Sequence, residues 1–193
     1  MKSVCVFCGS QRGHDPVYAA AARETGETLA RQGITLVYGG GSVGLMGIVA
    51  DAALEAGGTV VGVIPDFLDK LEAGHNGLTE KIIVETMHQR KALMASRSEG
   101  FIALPGGLGT MDELFEILTW AQLGLHTHPI GLLNVAGYYD ALLALLDSMR
   151  DTRFVSPRNR NLLLADTDLT QLLGLMKSSQ SAPDDKLLDY NKL

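Results

Sequence analysis

Apolar residues along this 193-residue chain fall in short runs, and between the runs lie longer stretches with helical spacing. The runs read as strands at 3–8, 34–38, 59–64, 81–84, 100–104 and 130–133, with a weaker one at 162–165. The intervening stretches predict helices over 16–32, 45–56, 87–96, 111–123 and 138–149. Strand–helix alternation of this kind predicts a parallel sheet covered by helices on both faces. Asp15-Pro16 is a suitable helix start, an acidic cap followed by proline at the first helical position. Gly33 and Gly57 mark helix exits. Residues 66–79 are the least regular stretch and predict a long connection, a place where lids and ligand contacts concentrate. No repeat or linker divides the chain. One domain is expected over 1–177, with a polar tail at 178–193.

Composition narrows the function classes. A net charge of −6 argues against a nucleic-acid duplex or an anionic membrane as partner, so any bound anion must be held by local geometry. No apolar segment is long enough to span a bilayer and no secretory signal precedes the first strand, which predicts a cytoplasmic protein. The two cysteines, Cys5 and Cys8, share the first apolar run. Strand alternation turns them to opposite faces, which favours buried structural thiols over a redox or metal pair. The histidines show no ligand spacing, and no metal site is expected.

The candidate chemistry begins at Leu104-Pro105-Gly106-Gly107-Leu108-Gly109-Thr110-Met111-Asp112-Glu113, between a strand and a helix. Glycines there let backbone N–H groups approach a ligand, and the helix directs its positive end at the same point. That arrangement suits a phosphate. A phosphate cradle has no need of Glu113 in the first turn, so the acid suggests chemistry. A second loop, Gly39-Gly40-Gly41-Ser42-Val43-Gly44, matches the dinucleotide fingerprint, and Asp66 follows at about the expected distance. The fingerprint belongs after the first strand, however, and here it follows the second. Its glycines serve either a ligand or a tight turn. In Met87-His88-Gln89-Arg90-Lys91 two cations stand near a helix start, against the dipole. Either an anion lies nearby or the pair is a solvated surface feature.

Together these segments resemble the LOG ("lonely guy") family, cytokinin riboside 5′-monophosphate phosphoribohydrolases once labelled lysine decarboxylases. The resemblance extends from Val4-Cys5-Val6-Phe7-Cys8-Gly9-Ser10 through Thr119-Trp120-Ala121-Gln122-Leu123-Gly124 to Gly137-Tyr138-Tyr139. It implies a single Rossmann-like α/β domain that cleaves the N-glycosidic bond of a nucleoside 5′-monophosphate without metal or organic cofactor. The catalytic pair it implies is Arg90 and Glu113. Substrate contacts would fall on Glu72, Arg90, Lys91, Gly106, Gly107, Leu108, Gly109, Thr110, Met111, Asp112 and Thr119. Leu108 stands where plant members commonly have tyrosine.

On that reading Glu113 stabilises positive charge on the ribose and activates water, while Arg90 orients it and keeps it ionised. The proton donor to the leaving base is not identifiable from sequence. The decarboxylase label fits poorly, because Lys91 is the only lysine beside the candidate site available to form a Schiff base. Two other readings stay open: a nucleosidase for purine monophosphates in general, and a nucleotide-binding module without turnover. A homodimer is expected from the family and from the apolar content of Leu114-Phe115-Glu116-Ile117-Leu118 with Trp120.

Overall fold

The computed structural model describes residues 1–71 and 74–179. Seven parallel strands form one sheet in the order β4-β3-β2-β1-β5-β6-β7. They are β1 (Ser3–Phe7), β2 (Thr35–Tyr38), β3 (Val60–Pro65), β4 (Glu80–Val84), β5 (Phe101–Ala103), β6 (Ile130–Leu133) and β7 (Leu163–Asp166). The helices are α1 (Pro16–Arg31), α2 (Gly44–Glu55), α3 (Asp66–Leu71), α4 (Met87–Ser96), α5 (Leu108–Gln122), α6 (Asp140–Asp151), α7 (Pro157–Arg160) and α8 (Leu169–Ser179). Among the described residues, no helix is long and apolar enough to cross a membrane.

Alternation along β1 divides the core into two layers. Val4, Val6 and Cys8 pack with α1, α2 and α8 through residues such as Leu29, Val49 and Leu172. Cys5 and Phe7 face the other way, onto Met94 of α4, Leu114 and Ile117 of α5, and Leu146 of α6. Each fully buried side chain of this size contributes about 1.5–3 kcal/mol of transfer free energy. Both thiols are buried, free and on opposite sides of the sheet. Burial pushes the pKa of each well up, so neither is a ready nucleophile.

Asp15 caps α1 as its sequence suggests, accepting from the Val17 amide at 2.9 Å. The stretch 66–79 is more regular than expected, because α3 occupies its first half. Helix α5 starts about one turn before the predicted Met111. The glycine-containing segment Leu108-Gly109-Thr110 forms the first turn, where helix propensity matters less because the N–H groups make no intrahelical bonds. Helices α7 and α8 were not anticipated. The second buries Leu169, Leu172, Leu173 and Met176 on one stripe and runs through Ser178 and Ser179, residues assigned from sequence to the tail. Residues 180–193 lie outside the described residues, as does Glu72.

Candidate active site

The strand order reverses between β1 and β5. From β1 the chain proceeds to β2 on one side, and from β5 to β6 on the other. Loops leaving such neighbours diverge and open a crevice at the carboxyl edge of the sheet. Here the crevice is a cavity of roughly 250 Å³. Its walls include Cys8 and Ser10 after β1, Met46 of α2, Arg90 of α4, and Gly107, Thr110 and Glu113 around the start of α5.

Gly107 occupies the N-cap of α5 in an extended conformation, and no side chain caps the helix. The first-turn N–H groups are therefore available to an anion in the cavity. The loop before them is fixed by close packing. A Cβ on Gly106 would stand 2.1 Å from Thr110 Oγ1 and 2.8 Å from the Gly9 amide, so only glycine fits there. The Gly9 amide in turn donates to Pro105 O at 3.1 Å, tying the β1 and β5 loops together.

Arg90 reaches the cavity from α4, whose start is a reciprocal capping box between Thr86 and Gln89. Only 8 % of Arg90 is exposed, which removes the solvated-surface reading. Its Nη2 donates to Gly39 O at 3.0 Å. A Cβ on Gly39 would lie 1.9 Å from that nitrogen, so glycine at 39 makes room for the guanidinium. Arg90 Nε is buried with no hydrogen-bond partner among the described residues. A buried unsatisfied donor is unfavourable unless something in the cavity accepts from it.

Glu113 is half-buried, and desolvation of its carboxyl by the surrounding protein pushes its pKa up to about 7. Arg90 lowers that value and Asp112 raises it, but desolvation dominates. This corrects the expectation that Arg90 keeps Glu113 ionised: the arginine opposes the shift without overcoming it. Among the described residues no ion pair joins the two, and one Arg90 nitrogen, Nη2, is engaged by Gly39 O. Near neutrality the carboxyl can both hold and release a proton.

The remaining sequence-derived residues do not all meet at the crevice. Gly107, Leu108, Gly109, Thr110 and Asp112 border the crevice at the start of α5, with Leu108 exposed at its mouth, while Gly106 lines a neighbouring cavity. Lys91 is instead held by Asp112 at 3.1 Å and Glu116 at 3.0 Å. Met111 and Thr119 lie on a separate open groove of α5 with Phe115 and Trp120, and Thr119 Oγ1 donates to Phe115 O at 2.7 Å. In the loop 39–44, Gly39 serves Arg90. A Cβ on Gly44 would meet the Ser10 carbonyl at 2.3 Å. Asp66 is exposed and paired with Lys70 at 2.7 Å. The fingerprint is thus occupied with packing. Sequence reasoning missed Cys8, Ser10 and Met46 as lining residues. Cys8 and Ser10 follow β1 and Met46 lies in the first turn of α2, positions whose nearness needs the strand order to interpret.

A family model described as "Possible lysine decarboxylase" matches residues 46–176. The cytokinin riboside 5′-monophosphate phosphoribohydrolase LOG2 of Arabidopsis thaliana is 46% identical over 184 residues, 95% of this chain and 86% of the relative. The enzyme of the same name from Rhodococcoides fascians is 48% identical over 178 residues, covering 92% of this chain and 90% of its own. Among solved structures, the Moco carrier protein of Chlamydomonas reinhardtii superposes with a TM-score of 0.68 at 22% identity, covering 92% of this chain and 96% of its own. The molybdenum cofactor binding protein of Rippkaea orientalis gives 0.69 at 22%, covering 92% and 97%. These two likenesses establish the fold alone. The family match and the relatives near half identity over nearly the whole length establish more: the chain belongs to the LOG family of phosphoribohydrolases.

Proposed function

We propose that this protein hydrolyses the N-glycosidic bond of adenosine 5′-monophosphate or its N6-substituted forms, releasing free base and ribose 5-phosphate. The observation that carries the reading is Glu113, a half-buried carboxyl that lines the cavity one turn into a helix whose uncapped start faces the same cavity, its pKa pushed up to about 7 by desolvation. The phosphate takes the first-turn amides of α5, and that remote binding places the ribose beside Glu113. As the C1′–N9 bond breaks, positive charge grows on the ribose and the carboxylate stabilises it. The same carboxylate takes a proton from the attacking water, whose oxygen bonds to C1′. With a pKa near 7 it can return that proton to the departing base. This supplies the proton donor that the sequence left unnamed. Arg90, with an unused Nε donor, orients a substrate oxygen from the opposite wall.

The older decarboxylase label accords badly with Lys91. Burial alone would lower its pKa, but hydrogen bonds to Glu116 and Asp112 hold it above its ordinary value. A Schiff-base lysine must give up its proton, and this one is held charged. A homodimer accords with the half-exposed Phe115 and exposed Leu125 on the α5 side; light scattering at micromolar concentration should give the dimer mass.

The deciding assay follows ribose 5-phosphate release from AMP, N6-substituted AMP and other purine monophosphates, each beside its nucleoside. Turnover of nucleotides with little turnover of nucleosides is expected. Equal rates for AMP and adenosine would overturn the reading. The order of rates within the nucleotide panel separates a cytokinin-directed enzyme from a general nucleosidase.

A further inference from the structure

The segment Asn134-Val135-Ala136-Gly137-Tyr138-Tyr139-Asp140 carries no assigned role, yet it is built with unusual constraint. After β6 the chain makes a short 3-10 turn in which Ala136 and Gly137 both adopt left-handed backbone angles, φ 51° and 73°. An alanine there is strained by roughly 1–2 kcal/mol and persists only when its surroundings dictate the conformation. Asn134 provides that constraint. It is buried, its Oδ1 accepts from the Tyr139 amide at 2.7 Å, and its Nδ2 donates to Asp140 Oδ1 at 2.7 Å. The Asn134 amide is itself tied to Asp166 O at 2.8 Å.

The turn delivers two phenol groups to successive parts of the loop after β5. Tyr139 Oη donates to Leu104 O at 2.6 Å, and Tyr138 Oη donates to Gly106 O at 2.6 Å. The second bond fixes a peptide plane. In a trans peptide the carbonyl and the following N–H point in opposite directions. Holding Gly106 O toward Tyr138 therefore turns the Gly107 N–H the other way. Tyr138 lines a second cavity, of roughly 230 Å³, which shares Ser10 and Gly107 with the first cavity but includes neither Arg90 nor Glu113. The residues on either side of that peptide are both glycine, so backbone sterics oppose a flip only weakly. A flipped plane would present a carbonyl oxygen to the anion in place of a donor.

We propose that Tyr138 is a positioning residue that locks the Gly106–Gly107 peptide with its N–H toward the substrate phosphate. The inference rests on the proposed phosphate site. Tyr138 is 43 % exposed, so water can replace its hydroxyl bond without a folding penalty. Its ring is held independently, edge-on to Tyr18 at 5.6 Å and Tyr139 at 4.9 Å between centroids. Tyr138→Phe keeps those contacts and removes only the lock.

The test compares wild type, Tyr138→Phe and Tyr139→Phe by calorimetric binding of AMP, ribose 5-phosphate and adenosine, with thermal melts alongside. Tyr138→Phe should bind AMP and ribose 5-phosphate about tenfold more weakly, leave adenosine binding unchanged, and melt within a degree or two of wild type. Tyr139→Phe, which orphans a buried carbonyl, should show its effect in the melt. Wild-type binding of ribose 5-phosphate with undiminished binding by Tyr138→Phe overturns the lock alone. Equal weakening for adenosine and AMP also overturns it, since a general distortion would then be the cause. Failure of the wild type to bind either phosphorylated ligand overturns the phosphate site, and the lock with it.

Discussion

The two glycine loops look alike in sequence and differ in why they need glycine. In the loop after β2, protein atoms fill the space a side chain would take: the Arg90 guanidinium at Gly39 and the Ser10 backbone at Gly44. In the loop after β5 that holds for Gly106. A Cβ on Gly107 or Gly109 would meet nothing within 4 Å, and both residues border the candidate phosphate cavity. One loop is therefore a socket for a side chain, the other a socket for a ligand. Each also presents one half of the proposed catalytic pair, since the first anchors Arg90 through Gly39 O and the second opens the helix bearing Glu113. Glycine spacing alone does not distinguish the two uses.

Glu113→Gln probes the ligand loop most severely. Turnover of AMP should fall by on the order of a hundredfold or more while binding is kept. A raised Michaelis constant with unchanged turnover would make Glu113 a binding residue. The same variant has a stability signature. Between Glu113's ordinary pKa of 4.5 and its folded value of about 7, the native protein keeps a proton the unfolded chain has released. Wild-type stability should therefore fall as pH rises through that window, by up to about 3 kcal/mol, and stay flat above it. Urea midpoints for Glu113→Gln should lack this decline and exceed wild type at pH 8.

The arginine socket is tested next. Arg90→Lys should lose nearly as much turnover as Arg90→Ala, because an ammonium cannot reproduce a planar fork. Gly39→Ala should approach the same loss, about ten- to a hundredfold, by displacing the guanidinium while Arg90 and Glu113 both stay in the sequence. Since Arg90 holds the Glu113 pKa down, its removal should also move the acidic limb of the pH–rate profile to higher pH. Near-normal turnover in Gly39→Ala would show that the Gly39–Arg90 contact is dispensable.

Gly109→Ala has the smallest expected effect and the sharpest contrast. Alanine favours the helix, though weakly in a first turn, so stability should hold or rise by less than about 1 kcal/mol. AMP affinity should fall several-fold as the methyl enters ligand space. If affinity is unchanged, the ligand socket does not extend to Gly109, and the comparison narrows to Gly107.

The strands were legible because each is a compact apolar run, and their observed limits differ from the sequence reading by only a residue or so. Helix α8 carried a readable stripe at Leu169, Leu172, Leu173 and Met176, but it follows a weak strand and was passed over. Within the site, Glu113 and the glycines were visible because they are local. The Arg90 bond to Gly39 joins residues far apart in sequence, and no local pattern encodes it. The direction of the Glu113 shift was equally hidden. The neighbouring charges could be read from the chain, but desolvation depends on what the fold closes over the carboxyl. Thr119 shows the converse: its motif is local and clear, yet the helix carries it onto a different surface.

Lys91 has a consequence beyond its own charge. It follows Arg90 in α4, and it grips Asp112, which precedes Glu113 in α5. Successive residues on a helix are rotated by about 100°, so a one-residue slip of either helix would swing Arg90 or Glu113 out of the crevice. By also holding Glu116, one turn further along α5, the ammonium marks a second point on the same helix. The three side chains form an alignment key between two cylinders, consistent with a rotational phase in which guanidinium and carboxyl line the same cavity.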